Sequence, residues 1–275
     1  MTRSTEVASK EQLLREIISQ AAARDADARV IIGFSGGVDS SLLLWETVQT
    51  LGAARVVAVT ATSPTSIPDE EYAARSFART LNVEHLVVPT DECEDPSFVG
   101  NSPDRCYICK RIRYRSLQSL ARQLGCVAVF DGTQFDDDPT DRPGMRALGE
   151  LGIGTPLADA GLKKEEIREI LRKEGFHDLA EKQAQPCLAT RIAPGAPITH
   201  EALEMVRCGE SVLKSYGLGL IRLRVHGSLG RVVTDEAGIS TILQKKEIRQ
   251  EIVARLRALG LTNVTLDLQP YGRQT

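Results

Sequence analysis

The sequence predicts an α/β protein: a doubly wound parallel sheet followed by a smaller C-terminal α+β domain. Three observations carry this. Short, β-branched apolar runs alternate with segments of helical period. The early runs are apolar along their full length, as strands of a sheet covered on both faces are. After about residue 145 the alternation stops, and beyond a proline-rich stretch at 181–198 a separate α-β-β-α-β order begins. The expected domains are residues 1–180 and 181–275.

The elements follow in chain order. Residues 10–23 place Leu13, Leu14, Ile17, Ile18 and Ala21 at helical spacing. Arg29–Phe34 is a buried strand that ends in glycine and serine. Leu42–Leu51 returns to helix, with Trp45, the single tryptophan, expected in the core. Arg55–Thr60 is a second strand, Asp69–Leu81 a helix and Glu84–Val88 a third strand. Tyr107–Leu124 is a long basic helix, and Cys126–Phe130 a fourth strand. Lys163–Glu174 is a charged helix. In the tail, Thr199–Tyr216 is helical, Leu220–Val225 and Arg231–Thr234 are strands, Ala237–Leu259 is one helix and Asn263–Leu268 a last strand.

Composition narrows the function. Hydrophobic residues make up 42% and charged residues 26%, the balance of a globular protein with a full core. A net charge of -3 argues against whole-surface attraction to nucleic acid. No apolar run approaches the roughly 20 residues that span a bilayer, and the N-terminus has no signal-peptide core. A cytoplasmic location without membrane contact is expected. In that compartment six cysteines are buried apolar residues, metal ligands or reactive thiols rather than a disulfide framework. Cys93, Cys126 and Cys208 read as structural.

The string Ser35-Gly36-Gly37-Val38-Asp39-Ser40-Ser41 follows a buried strand and opens a helix. Adjacent glycines let backbone N–H groups approach an anion, and the helix N-terminus adds partial positive charge. Ser35, Ser40 and Ser41 offer hydroxyl donors. Asp39 repels a phosphate, so its expected role is to hold magnesium or cap the helix. The string is neither a Walker A loop nor a dinucleotide GxGxxG.

It resembles the PP-loop of the adenine nucleotide alpha-hydrolases, which grips the pyrophosphate released when ATP forms an adenylate. Further motifs extend the likeness: Arg105-Cys106-Tyr107-Ile108-Cys109-Lys110, Asp131-Gly132-Thr133-Gln134 running on to Asp141-Arg142-Pro143-Gly144, and Pro186-Cys187-Leu188-Ala189-Thr190-Arg191. Together they resemble the LarE family, sulfur transferases that build the pincer nucleotide cofactor of nickel-dependent lactate racemase. The resemblance implies a sheet of the PP-loop ATP pyrophosphatase type. It implies ATP with Mg2+ held by Ser35, Gly36, Gly37, Asp39 and Ser40, together with Thr60, Gly132 and Thr133. It implies adenylation of a carboxylate of pyridinium-3,5-biscarboxylic acid mononucleotide, followed by displacement of AMP by sulfur.

The sulfur source is open between two branches. In one, Cys187 gives up its own sulfur. In the other, Cys106, Cys109 and Cys187 hold a [4Fe-4S] cluster, and the basic residues of 105–115 offset its charge. The resemblance further assigns Arg191 to the reacting carboxylate and Arg222 with Arg224, two apart on a strand, to the substrate phosphate. Gln134 stands where an asparagine is expected, and an altered nucleotide contact follows. The implied partners are the small-molecule nucleotide, a sulfide or sulfur-carrier donor and further copies of the chain. A tRNA would need a broad basic face that the charge does not supply.

Overall fold

The computed structural model describes residues 3–23, 25–138 and 143–271. The chain forms two compact units: residues 1–92 with 104–185, and residues 93–103 with 186–275. The expected boundary at 180 thus lies at 185, and a short early segment joins the C-terminal unit. The reason is local pairing. Asn101 donates its side-chain amide to the carbonyls of Ala193 and Ala196 at 2.8 and 2.9 Å, and Ile198 N–H donates to Val99 O at 2.9 Å.

The first unit is a four-stranded parallel sheet in the order β3-β2-β1-β4, made of β1 (Arg29–Gly33), β2 (Val56–Thr62), β3 (Glu84–Pro89) and β4 (Cys126–Asp131). Alternate residues of the two inner strands feed two cores. Val30, Ile32, Val56 and Ala58 pack with Leu14 and Ile18 of the helix Arg3–Ala21, Leu42, Leu43 and Leu44 of the helix Val38–Leu51 and Ile167, Ile170 and Leu171 of the helix Lys164–Lys173. Ile31, Val57 and Val59 pack on the other face against Tyr114, Leu117 and Ala121 of the helix Arg105–Leu124 and Leu148 of the helix Gly144–Leu151. Each fully buried aliphatic side chain contributes roughly 1.5–3 kcal/mol, so both faces must stay covered. Trp45 stacks edge-on against Phe176 at 5.0 Å, a core role as expected.

The second unit has a three-stranded sheet in the order β5-β6-β7, with β5 (Ile221–His226) and β6 (Leu229–Thr234) antiparallel and β7 (Asn263–Leu266) parallel to β6. The helix His200–Lys214 lies so close to β5 that a Cβ on Gly209 would overlap the Leu223 side chain. The single helix expected over 237–259 is two, Glu236–Gln244 and Lys246–Ala258. Lys245 between them is extended, at φ -98 and ψ 94. Arg249 donates to the carbonyls of Ile242 and Leu243 at 3.0 and 2.8 Å, satisfying the acceptors that end the first helix. No glycine or proline marks that break, so helical periodicity reads straight through it. No helix of the described residues is long and apolar enough to cross a membrane.

Candidate active site

The loop 35–41 sits at the C-terminal end of β1, and the helix Val38–Leu51 begins with it. Gly36 has φ +71, a region favoured by glycine, and a Cβ there would stand 3.0–3.1 Å from Ala74, backbone included. Gly37 is the N-cap and supplies no side-chain cap to the first turn of the helix. Ser40 donates to Gly37 O at 3.2 Å, and its oxygen lies 3.0 Å from Ser35 Oγ. With its proton directed to Gly37, Ser40 accepts from Ser35. The loop hydroxyls thus satisfy one another in a geometry that an anion can replace. Ser41 is fully buried behind them.

Asp39 meets Lys164, whose Nζ lies 2.7 and 2.8 Å from the two carboxylate oxygens. Lys182 Nζ donates to Gly36 O at 2.8 Å and to Glu70 at 3.0 Å. Two ammonium groups therefore stand at the phosphate loop. Sequence reading missed both, because lysines in polar segments look like a solvated face. Thr60 is buried and turned inward: it donates to Phe34 O at 2.7 Å and lies 2.8 Å from His85 Nε2. Its hydroxyl thus ties the end of β2 to the start of the loop. Burial, helped by the nearby Arg75 charge, pushes the His85 pKa down.

At the end of β4, Gly132 lies against the loop helix, and a Cβ would come 2.9 Å from Ser40 N. Asp131 is nearly sealed from water. Its Oδ1 accepts Thr133 N–H at 2.7 Å and the Thr133 hydroxyl, while its Oδ2 accepts Lys110 Nζ at 3.0 Å and the Tyr114 hydroxyl. Burial pushes this carboxyl up, but the Lys110 charge and these hydrogen bonds outweigh it and hold it below the usual range. Gly33 lets the phenol through, since a Cβ there would collide with Tyr114 Oη. Thr133 and Gln134 are both buried, and the Gln134 amide is committed to its own turn: it donates to Asp137 at 3.0 Å and accepts Asp136 N–H at 2.8 Å. Gln134 therefore braces the loop. Asp141 and Arg142 of the same motif lie outside the described residues.

Cys106 and Cys109 occupy the first turn of the helix Arg105–Leu124, where spacing i, i+3 puts them on one face. Cys106 is exposed and Cys109 half-buried, with its Sγ 3.9 Å from Glu92 Oε1. Glu92 is completely buried. Arg113 donates to it at 2.9 and 2.5 Å, and Ser63 at 2.7 Å. Burial raises the Glu92 carboxyl, and the Arg113 charge together with the hydrogen bonds from Thr90, Ser63 and Arg113 outweighs it and holds the carboxyl below its usual range. The basic run 105–115 is thus partly neutralised from within, Lys110 by Asp131 and Arg113 by Glu92. Nothing local to Glu92 marks it as buried, because its partner Arg113 lies 21 residues on.

In the second unit Cys187 opens a short 3-10 turn, Leu188–Arg191. Arg191 is 2% exposed. It donates to Glu210 Oε1 at 2.9 Å, to Cys187 O at 3.1 Å, to Thr190 Oγ1 at 3.0 Å and to the Pro186 carbonyl. Arg191 clamps the turn that presents Cys187. Glu210 also accepts Leu223 N–H at 3.2 Å, fastening the clamp to β5. Ile192 then bridges to Val225 of the same strand. Arg222 and Arg224 sit on the β5 face opposite Leu223, and Arg222 lies 5.0 Å from the Tyr271 ring. Burial, with Arg191 nearby, pushes the Arg222 pKa down.

Among the described residues no three His, Cys, Asp or Glu side chains gather as a metal site. Cys106 and Cys109 belong to the first unit and Cys187 to the second.

A parallel α/β sheet with this glycine-serine loop at the end of β1 and lysines beside it is that of a PP-loop ATP-using enzyme. Residues 6–126 match the family described as NAD synthase. Over 243 residues the chain is 36% identical to an uncharacterized protein of Synechocystis sp., covering 88% of this chain and 90% of that one. Over 240 residues it is 32% identical to the pyridinium-3,5-bisthiocarboxylic acid mononucleotide synthase of Lactiplantibacillus plantarum, covering 87% and 86%. An NH(3)-dependent NAD(+) synthetase of Pyrobaculum aerophilum is 28% identical over 192 residues, 64% of this chain and 67% of that protein. The chain belongs to the LarE family within the PP-loop enzymes and is an ATP-dependent sulfurtransferase.

Proposed function

We propose that the enzyme adenylates a carboxylate of pyridinium-3,5-biscarboxylic acid mononucleotide and converts it to a thiocarboxylate for the nickel-pincer nucleotide. The observation that carries this is the Cys187 turn: a buried Arg191–Glu210 clamp holds a cysteine beside a strand bearing Arg222 and Arg224. A thiol next to an anion-holding strand suits sulfur transfer to a phosphate-bearing substrate.

In the first step a substrate carboxylate oxygen attacks the α-phosphorus of ATP, and pyrophosphate leaves with the bonding electrons. The loop N–H groups with Ser35 and Ser40 hold the departing pyrophosphate, and Lys164 and Lys182 offset its charge. Gly36 and Gly132 fit that role, because at both a Cβ would press on backbone. Asp39 would hold Mg2+, which supplies charge neutralisation to the phosphates; its carboxylate now rests on Lys164. In the second step sulfur attacks the acyl carbon and AMP departs. Cys106, Cys109 and Cys187 would hold a [4Fe-4S] cluster, whose chemistry is to supply sulfide. Thiolates suit iron, and the i, i+3 pair at an exposed helix start fits such a donor set.

In the second reading Cys187 gives its own sulfur. It is favoured by the clamp itself, which positions Cys187 from residues of its own unit without Cys106 or Cys109. A tRNA thiolase is disfavoured, since Lys110 and Arg113 are committed to Asp131 and Glu92.

The test is iron and acid-labile sulfide content in protein purified without oxygen. About four irons per chain, lost in Cys106→Ala and in Cys187→Ala, are expected for the cluster. No iron after anaerobic reconstitution, with the mass of one sulfur and two hydrogens lost at Cys187 after turnover, means that the cysteine is consumed.

A further inference from the structure

The register of the C-terminal sheet brings a third guanidinium to the arginine face. Arg224 of β5 stands directly opposite Arg231 of β6, and Arg222 stands opposite Val233. Side chains paired in register share a face, so Arg222, Arg224 and Arg231 lie together. The other face is filled: Leu223 meets the helix His200–Lys214, and Gly230 admits Leu261, since a Cβ there would stand 2.7 Å from it. The arginines therefore lie on the face opposite these contacts.

Like charges directly opposite on neighbouring strands are destabilising unless something answers them. Little does here. Arg224 makes no hydrogen bond or ion pair among the described residues. Arg231 has Asp267 at 3.7 Å, beyond hydrogen-bonding distance, and its Nε is buried with no hydrogen-bond partner. Arg222 is buried and donates to Ile221 O at 2.7 Å. Arg224 and Arg231, directly opposite each other with Asp267 at 3.7 Å from Arg231, leave an excess of positive charge that a dianion would neutralise.

We propose that Arg231 is a substrate-positioning residue that completes, with Arg222 and Arg224, a three-arginine seat for the phosphate monoester of the mononucleotide. The inference rests on the mononucleotide reading above and adds to it a residue on a different strand. A phosphate monoester offers three terminal oxygens and accepts from more than one guanidinium fork at once. The β5–β6 pairing supplies the forks from two strands whose spacing the backbone ladder holds. The phosphate is thereby placed over the same strand that the Cys187 turn joins through Ile192.

The test measures binding of a pyridinium-carboxylate mononucleotide and of its dephosphorylated nucleoside to the full chain, by calorimetry. Wild type, Arg231→Gln, Arg231→Lys and Arg224→Gln are compared. Wild type should prefer the mononucleotide. Arg231→Gln should weaken mononucleotide binding about tenfold or more and leave the nucleoside unchanged, with Arg231→Lys between the two. In the absence of ligand Arg231→Gln should melt no lower than wild type, because it removes a like-charge pair. If Arg224→Gln loses the preference for phosphate while Arg231→Gln keeps it, Arg231 has no part in the seat and the mononucleotide reading stands. If wild type itself shows no preference for the phosphorylated ligand, the seat and the mononucleotide reading fall together.

Discussion

Asp131 accepts four hydrogen bonds while almost wholly out of water, and it joins the cysteine-bearing helix to the loop beside the nucleotide site. Replacing it by asparagine leaves Lys110 without its counter-charge. Because Lys110 is a third exposed and can rehydrate, the expected loss is about 3 kcal/mol, the lower end for a broken buried pair. Urea unfolding of Asp131→Asn measures it. The carboxyl has a folded pKa below its ordinary 3.8, so its contribution is present above that pH and is lost as pH falls through the folded value. The asparagine variant should lack this acid limb. His85 has the corresponding sign for a base. Its pKa is lowered from 6.5 on folding, so its contribution holds above pH 6.5 and declines as the solution is acidified through the folded value. Melting temperatures between pH 7 and 5 should fall more steeply in wild type than in His85→Gln.

Elements meet at the phosphate loop through glycines that admit backbone to backbone. A methyl group on Gly132 would press on Ser40 N at 2.9 Å, and neither the loop helix nor the end of β4 can turn aside as a side chain can. Gly132→Ala is expected to cost about 1–3 kcal/mol and to weaken ATP binding, read by thermal shift with and without ATP. Lys164 acts from a different helix on the same loop, by charge. Lys164→Ala removes the ion pair to Asp39 and a cation from the phosphate loop. Pyrophosphate release should slow by at least tenfold while the melting temperature stays near wild type, since the pair is partly exposed. An unchanged rate would remove Lys164 from the reaction.

Over the whole molecule the chain leaves its first unit for eleven residues and returns. Asn101, buried at φ +52, fastens that excursion to the carbonyls of Ala193 and Ala196. Asn101→Ala removes the side-chain donor from two half-buried carbonyls, of which Ala193 O keeps the Ala196 N–H, and removes a side chain suited to that backbone conformation, an expected loss of about 1–2 kcal/mol. Hydrogen exchange should accelerate first at Ala193 and Ile198, whose N–H groups bond Val225 O and Val99 O. Protection unchanged there, in a variant that still melts cooperatively, would mean that the excursion is held by something else.

The strands of the parallel sheet and the phosphate loop were legible in the residues, because both are local patterns: a β-branched apolar run, two glycines and hydroxyls at a helix start. Gly36 needs its positive φ wherever the sheet lies. The side-chain partners were not legible, because a partner is chosen by the fold and not by neighbours in the chain. Nothing in the residues around Arg191 points to Glu210, nineteen residues on, which the fold brings to it. Lys164 reads as solvated until a crossover of 125 residues sets it on Asp39. Glu92 lies in an acidic run and is nevertheless fully buried, because Arg113 comes from a helix on the far side of the 93–103 excursion. Charge reaches across space and sequence periodicity does not, so the loop's form came from the string and the loop's electrostatics from the tertiary structure.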